Sequence, residues 1–256
     1  MDMQASTSSV IAAAEPAPAA SIHRVISLNI RQGGGPRAGA LLRWLLAKRP
    51  DFVVLPEWRL NAAGAGIRSS LESEGFHVWG CAASASRTNG LLLASRSPFV
   101  PERLTPQGVK GELLVADCPG VLRIVAAYFP QGHHKAPFFD AILASAERSQ
   151  HGPLLLIGDL NTGLNEEDVE GQGARFQCAG HFVDLARRGG LRDLWRMRHG
   201  QAREWTWRSA RNGFRIDHAF GNAALLERFP ALCCEYDHEP RDAQLSDHSA
   251  ILLNLR

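Results

Sequence analysis

Glu57, Asp159 with Asn161, and Asp247 with His248 are the residues of this sequence best placed to do chemistry. Each stands where an apolar run ends. Pro56-Glu57 follows Phe52-Val53-Val54-Leu55, Gly158-Asp159-Leu160-Asn161 follows Leu154 to Ile157, and Ser246-Asp247-His248 precedes Ala250 to Leu253. A short apolar run bounded by turn residues reads as a buried strand. Carboxylates, an amide and an imidazole at strand ends can converge on one edge of a sheet. Oxygen donors suit a hard divalent cation, and an adjacent base can move a proton. The pattern points to an enzyme. Taken singly, each element has an ordinary alternative: a solvated turn for Pro56-Glu57, a self-bonded turn for Asp159 and Asn161, a cap or surface loop for Asp247 and His248.

The elements that must position these groups can be read along the chain. Arg24 to Leu28 reads as a strand delivering Asn29, followed by the loop Gly33-Gly34-Gly35-Pro36. Leu41, Leu42, Leu45 and Leu46 recur at helical spacing up to Lys48, and Pro50 stops that helix. A second helix is expected over Ile67 to Glu74, ended by Gly75. Strands are expected at Phe76 to Trp79, Leu91 to Ser95, Leu113 to Asp117 and Leu122 to Tyr128, with turns at Asn89-Gly90 and Pro119-Gly120. A helix over Pro137 to Arg148 precedes the Asp159 strand. A helix over Phe176 to Arg188 and a segment Leu191 to Trp195 follow it. Short strands at Glu204 to Trp207, Arg215 to Phe220 and Ile251 to Leu255 complete the pattern. Many strands with a few long helices between them suggest an α+β sandwich, two sheets covered by helices.

Composition narrows the class further. The chain has 256 residues, 45% hydrophobic and 21% charged, which fits one large globular domain. A net charge of +2 does not by itself declare a nucleic-acid binder. Lysine occurs only at Lys48, Lys110 and Lys135, so arginine supplies 25 of the 28 cations. Arginine suits bidentate phosphate contact, and a GC-rich genome would give the same bias. Five cysteines without a CxxC pair argue against a disulfide framework or thiolate zinc site and for a reducing, cytoplasmic setting. No segment is apolar for long enough to span a membrane, and no feature calls for an obligate protein partner. Residues 1–21, rich in Ala, Ser and Pro, read as a disordered leader, and residues 22–256 as a single catalytic domain.

Six blocks in order now become informative together. They are Ser27-Leu28-Asn29-Ile30-Arg31, Leu55-Pro56-Glu57, Tyr128-Phe129-Pro130-Gln131-Gly132, Gly158-Asp159-Leu160-Asn161, Phe214-Arg215-Ile216-Asp217 and Ser246-Asp247-His248. In these the chain resembles the endonuclease/exonuclease/phosphatase superfamily of metal-dependent phosphoesterases, from about Arg24 to Leu255. The resemblance implies a four-layer α/β/β/α sandwich, with two mixed, mostly antiparallel sheets flanked by helices. It implies Glu57 as main ligand of Mg²⁺ (Mn²⁺ as the alternative ion), with Asn29 and Asp247 beside it. Asp159 would orient or deprotonate the attacking water, and Asn161 would place it or bind phosphate. His248 would donate to a phosphate oxygen, Asp217 would hold its imidazole, and Tyr128 would contact the phosphate. Such a division suits an anionic ester, because a cation and an imidazolium offset the charge that builds on its oxygens.

Tyr128 to Gly132, Gly190 to Trp195 and Trp205-Thr206-Trp207 resemble the exonuclease III and apurinic/apyrimidinic endonuclease branch. The implied substrate is DNA, cut by an abasic-site endonuclease or a 3′–5′ exonuclease. In that branch the positions of Trp207, Phe214 and Ile216 line an apolar pocket for a base-less sugar, and Arg31 and Gln131 join the substrate-binding set. Trp205 and Trp207 serve equally well as sheet packing. Arg31 stands where abasic-site enzymes carry Asp or Asn, and the stretch from Asn161 to Gly190 is short. A phosphatase, a phospholipid phosphodiesterase and a non-specific deoxyribonuclease therefore stay open as alternatives. His133-His134-Lys135 reads as a solvated turn more readily than as a phosphate contact. Arg208 and Arg211 could clamp a backbone phosphate or be plain surface residues, and His218 reads as a structural neighbour of Asp217.

Overall fold

The central strands are apolar on both faces, and the structure shows why. A computed structural model describes residues 23–81, 87–149, 152–171 and 174–256, so the leader expected over residues 1–21 lies outside the described residues. In chain order the elements are β1 (His23–Ser27), α1 (Ala38–Ala47), β2 (Phe52–Trp58), α2 (Ala62–Ser73), β3 (His77–Cys81), β4 (Gly90–Ser95) and β5 (Val100–Arg103). There follow β6 (Glu112–Cys118), β7 (Leu122–Tyr128), α3 (Ala136–Arg148), β8 (Leu154–Asp159), α4 (Ala179–Arg187), β9 (Arg192–Asp193) and α5 (Arg196–His199). The last third holds β10 (Trp207–Arg208), β11 (Gly213–Phe214), β12 (Asp217–Gly221), α6 (Ala223–Arg228), β13 (Cys233–Asp237), α7 (Glu239–Asp242) and β14 (Ala250–Leu255).

Two six-stranded sheets form, in the orders β13-β14-β1-β2-β4-β3 and β5-β6-β7-β8-β12-β9, with β10 and β11 as a separate ribbon. Among the described residues, only the β1–β2 and β7–β8 pairs are parallel. Alternate residues of each central strand face different layers. Val25, Phe52, Val54, Leu155 and Ile157 meet between the sheets. Ile26, Val53 and Leu55 pack outward with Leu41, Trp44, Ile67 and Leu71 of α1 and α2. Leu154 and Leu156 pack outward with Phe138, Ile142, Phe182 and Leu185 of α3 and α4. The result is the expected four-layer α/β/β/α sandwich. No helix among the described residues is long and apolar enough to cross a membrane, and all five cysteines are unpaired thiols.

Several boundaries differ from expectation for identifiable reasons. The helix expected from Phe176 begins only at Ala179, because Cys178 adopts a left-handed φ of 66° and Asn165 Oδ1 accepts the Phe176 N–H at 2.6 Å. The strand expected over Glu204 to Trp207 shrinks to β10, since Thr206 spends its hydroxyl on the N–H groups of Ile216 and Asp217. β12 starts at Asp217, two residues late, because the Arg215 N–H is taken by the Asp168 carbonyl. Asn89-Gly90 is no hairpin turn, because the β3–β4 connection begins after Cys81. β5 and β13 are strands beyond those expected. Both lie at sheet edges, where Pro101 in β5 is tolerated and a strand carries little apolar signal.

One glycine is required by this packing. Gly158 has φ +145°, and a Cβ there would lie 2.0 Å from the Ala127 carbonyl oxygen of the neighbouring strand. The close approach seats Asp159 beside β7. Gly158→Ala is expected to cost about 3 kcal/mol or more of stability, measured by urea unfolding. A change within about 0.5 kcal/mol would show that the two strands part easily.

Candidate active site

Both sheets deliver their functional side chains at the same end of the sandwich. In the second sheet the register places Tyr128 of β7 and Asp217 of β12 directly beside Asp159 of β8. In the first sheet, β1 leads into Asn29, β2 carries Glu57, and the chain reaches β14 through Asp247 and His248. Ser246 ties the two approaches together. Its hydroxyl donates to the Asn29 carbonyl at 2.5 Å and accepts the His248 N–H at 3.1 Å.

A cleft of about 920 Å³ opens there, walled by Glu57, Tyr128, Asp159, Asn161, Asp247 and His248. Gln131 and the apolar Trp207, Phe214 and Ile216 line it as well. Asn29 and Asp217 lie buried beneath, each bonded to a cleft residue. Arg31 reaches the rim, its Nε 3.9 Å from Asp247 Oδ2. The residues expected to carry catalysis, hold the ion or bind substrate thus lie at or under one cleft, whereas Trp205, Arg208, Arg211, His133, His134 and His218 do not line it.

Asp159 is almost fully buried, and its carboxylate is held from two sides. Oδ1 accepts the Asn161 N–H at 2.9 Å, and Oδ2 accepts the Asn29 amide at 3.0 Å. Burial, reinforced by the charge of Asp217, pushes its pKa above the usual carboxylate range, against the pull of His248. A carboxyl raised in this way suits a base working near neutral pH. His248 Nδ1 lies 2.8 Å from Asp217 Oδ2, which leaves Nε2 for the cleft. Burial works against a charged imidazole, but Asp217, by charge and by hydrogen bond, outweighs it and raises the His248 pKa to about 10. Asp217 thus favours the charged form of the imidazole on the cleft floor.

Glu57 sits on a β-bulge with φ +62°, where the register between β2 and β4 shifts. Its Oε2 accepts the Gln32 N–H at 2.7 Å and its carbonyl accepts the Gly33 N–H at 2.8 Å. The loop that supplies those donors runs through successive left-handed residues, Arg31 to Gly35. Asp247 accepts the Trp207 indole N–H at 3.3 Å.

A divalent cation fits the donor set on chemical grounds. Asp159, Asp217 and His248 bring ligand atoms within 4.8 Å of one another, a spacing that could hold an ion. The Asp217–His248 hydrogen bond already engages two of those residues with each other. The open carboxylates of Glu57 and Asp247 in the same cleft offer hard oxygen donors without breaking that bond.

The cleft also holds residues with no clear signal in the sequence, among them Lys135, Asn89, Phe176, Arg175 and Gln177. Lys135, expected in a solvated turn, is buried, lines the cleft and donates its ammonium to the Asn161 carbonyl. Its pKa is lowered by burial. Asn89 bridges Arg59 and Tyr128, accepting from Arg59 Nε at 2.6 Å and donating to the Tyr128 hydroxyl at 3.2 Å. Phe176 packs against Phe214 with the rings tilted and their centroids 5.6 Å apart, and Phe214 lies 5.9 Å from Trp207. Only Asn89 carried a local signal, and its Asn-Gly dipeptide reads first as a turn. His218, as expected, is structural, with Nε2 2.8 Å from the Thr162 carbonyl oxygen. Arg208 pairs with the carboxylate of Glu170.

Four layers, a cleft of carboxylates around a buried Asp–His pair, and donors fit for a divalent cation define a hydrolase of phosphoester bonds. Sequence comparison agrees: the pattern of the Endonuclease/Exonuclease/phosphatase family matches residues 26–248. The chain belongs to that family. Compared by sequence with curated proteins, it matches none. Among solved structures it is similar to a Neisseria 3′ phosphatase, NExo, bound to a product DNA hairpin, with TM-score 0.77, 21% identity, and 91% of this chain and 99% of that one covered. It is similar also to the 3′–5′ exonuclease NExo of Neisseria meningitidis (TM-score 0.75, 22% identity, 90% and 98% covered). An AP endonuclease from Archaeoglobus fulgidus aligns with TM-score 0.68, 20% identity, and 90% and 98% covered.

Lys135→Met is expected to lower stability by about 1–3 kcal/mol, the cost of leaving the half-buried Asn161 carbonyl without its donor. It should also lower kcat more than it raises KM, because Asn161 and Asp159 share a backbone turn. Urea unfolding with steady-state kinetics checks both. Wild-type values for both would mean that the ammonium holds nothing in place.

Proposed function

We propose that the protein is a Mg²⁺-dependent phosphodiesterase that cuts DNA by attack of water on phosphorus, as an abasic-site endonuclease or a 3′–5′ exonuclease. The observation that carries this reading is the Asp217–His248 pair opening onto a cleft that combines carboxylates with an apolar niche. Carboxylates and imidazole address the phosphoester. Trp207, Phe214, Ile216 and Phe176 offer a surface on which a sugar without its base, or an unstacked terminal nucleotide, can rest. The similar solved structures, named for 3′ phosphatase, 3′–5′ exonuclease and AP endonuclease activities, support a DNA substrate.

Glu57, with Asn29 and Asp247, would hold the cation, which when bound draws charge from the phosphate oxygens. The remaining roles fall to the chain's own groups. Asp159 accepts a proton from the attacking water, and Asn161, fixed through its amide to the Phe129 carbonyl at 2.8 Å, helps place that water. His248 offers Nε2–H to a phosphate oxygen as charge grows there, and Asp217 holds the ring in that tautomer. The Tyr128 hydroxyl, kept protonated by burial, contacts the phosphate. Arg31 and Gln131 grip the substrate at the rim.

The decisive assay compares abasic, nicked and intact duplexes with a phosphoinositide, in Mg²⁺ and in Mn²⁺. Cleavage of abasic or nicked duplex is expected, lost on chelation and reduced about a thousandfold by Asp159→Asn. Robust cleavage after metal removal would sink the proposal, as would a clear preference for the phosphoinositide.

A further inference from the structure

A second cleft, of about 720 Å³, lies beside the catalytic one, and the two share Asn89, Tyr128 and Gln131 in their walls. Its cationic lining is Arg59, Arg87 and Lys110, with the imidazole of His134 beside them, and no carboxylate lines it among the described residues. Residues 82–86, just before Arg87, are Ala-Ala-Ser-Ala-Ser and carry no charge. Most arginines of this protein are engaged by acids or carbonyls, as Arg103 is by Glu112 and Arg215 by Asp168 and Asp193. In contrast, the side chains of Arg87, Lys110 and His134 have no hydrogen-bond or ion-pair partner among the described residues. Cations around one hollow, without acids between them, repel each other until an anion enters. Arginine and lysine together suit a phosphate.

The position of the hollow says which phosphate. Tyr128 is common to both clefts, and Asn89 links its hydroxyl to Arg59 in the second. A strand whose scissile phosphate lies against Tyr128 and His248 can extend past Tyr128 so that a neighbouring phosphate meets Arg59, Arg87 and Lys110.

We propose that this second cleft binds the phosphate adjacent in the strand to the one being cut, so that the protein selects a polynucleotide over an isolated phosphoester. The inference rests on the nucleic-acid reading above and assigns that reading a second contact. Specificity then comes from charge spacing along the strand, without contact to base edges.

The test uses Arg87→Gln/Lys110→Gln, both exposed positions, with thermal melting to confirm an unchanged fold. Substrates are an abasic duplex, the same duplex with one uncharged methylphosphonate on either side of the cut, and bis(p-nitrophenyl) phosphate. The double variant is expected to raise KM for the duplex about tenfold or more and to flatten the logarithmic salt dependence by about one unit, as loss of one phosphate contact requires. Its rate on the small diester should match wild type. A methylphosphonate at one flanking position should penalise the wild type and add little in the variant, since both changes remove the same contact. An unchanged KM, equal losses on both substrates, or penalties that add fully would overturn the second subsite and leave the nuclease reading standing. A wild type that turns over the small diester and no oligonucleotide would overturn both.

Discussion

A buried imidazole 2.8 Å from a buried carboxylate is the contact on which this site depends. Asp159 and Asp217 approach one another on neighbouring strands, both almost free of water. Two such groups cannot both ionise cheaply in a dry setting. The charge of His248, held by Asp217, makes the arrangement sustainable and leaves Asp159 as the group whose proton affinity is adjustable. In the proposed function, base and donor would thus be set by one piece of electrostatics, and an anionic ester would meet a cation on the cleft floor.

The sandwich exists to bring that contact about. Asp217 arrives on the second sheet and His248 on the first, so their bond crosses the seam between the sheets. Thr206 reinforces it: its hydroxyl accepts the Asp217 N–H at 3.2 Å, and its carbonyl accepts the N–H of Ser249, next to His248, at 2.7 Å. Tyr236 donates to the Asp217 carbonyl at 2.8 Å. Beneath lies Arg215, buried and fixed by Asp168 at 2.7 Å and Asp193 at 2.6 Å, two positions before Asp217. Breaking such a buried ion pair costs far more than forming it contributes, so this cluster defines one position for the strand.

Much of this was legible in the sequence because strand ends announce themselves. Runs such as Phe52 to Leu55 and Leu154 to Ile157 must be buried on both faces, so the turn residues after them fall at sheet edges. The identities of Glu57, Asp159 and His248 then suggested the chemistry, and the family resemblance supplied the long-range pairing of Asp217 with His248. What stayed hidden depends on tertiary context. Lys135 looks like a solvated lysine until the Asn161 carbonyl is seen above it. Phe176 looks helical until Cys178 turns left-handed. Arg87 and Lys110 are far apart in sequence, and only the fold turns them toward one hollow.

The charge state of His248 is the most direct test of the account. Nitrogen-15 NMR of the imidazole, followed against pH in wild type and in Asp217→Asn, reports it without any substrate. A ring pKa near 10 is expected in wild type. In the variant the pKa should fall, because burial then acts against the charged ring with only weaker carboxylate help. The raised pKa also gives the linkage its sign: the pairing contributes stability below the ordinary histidine pKa of about 6.5 and loses it as pH rises toward 10. A wild-type ring titrating at or below 6.5, or one unmoved by Asp217→Asn, would contradict the account.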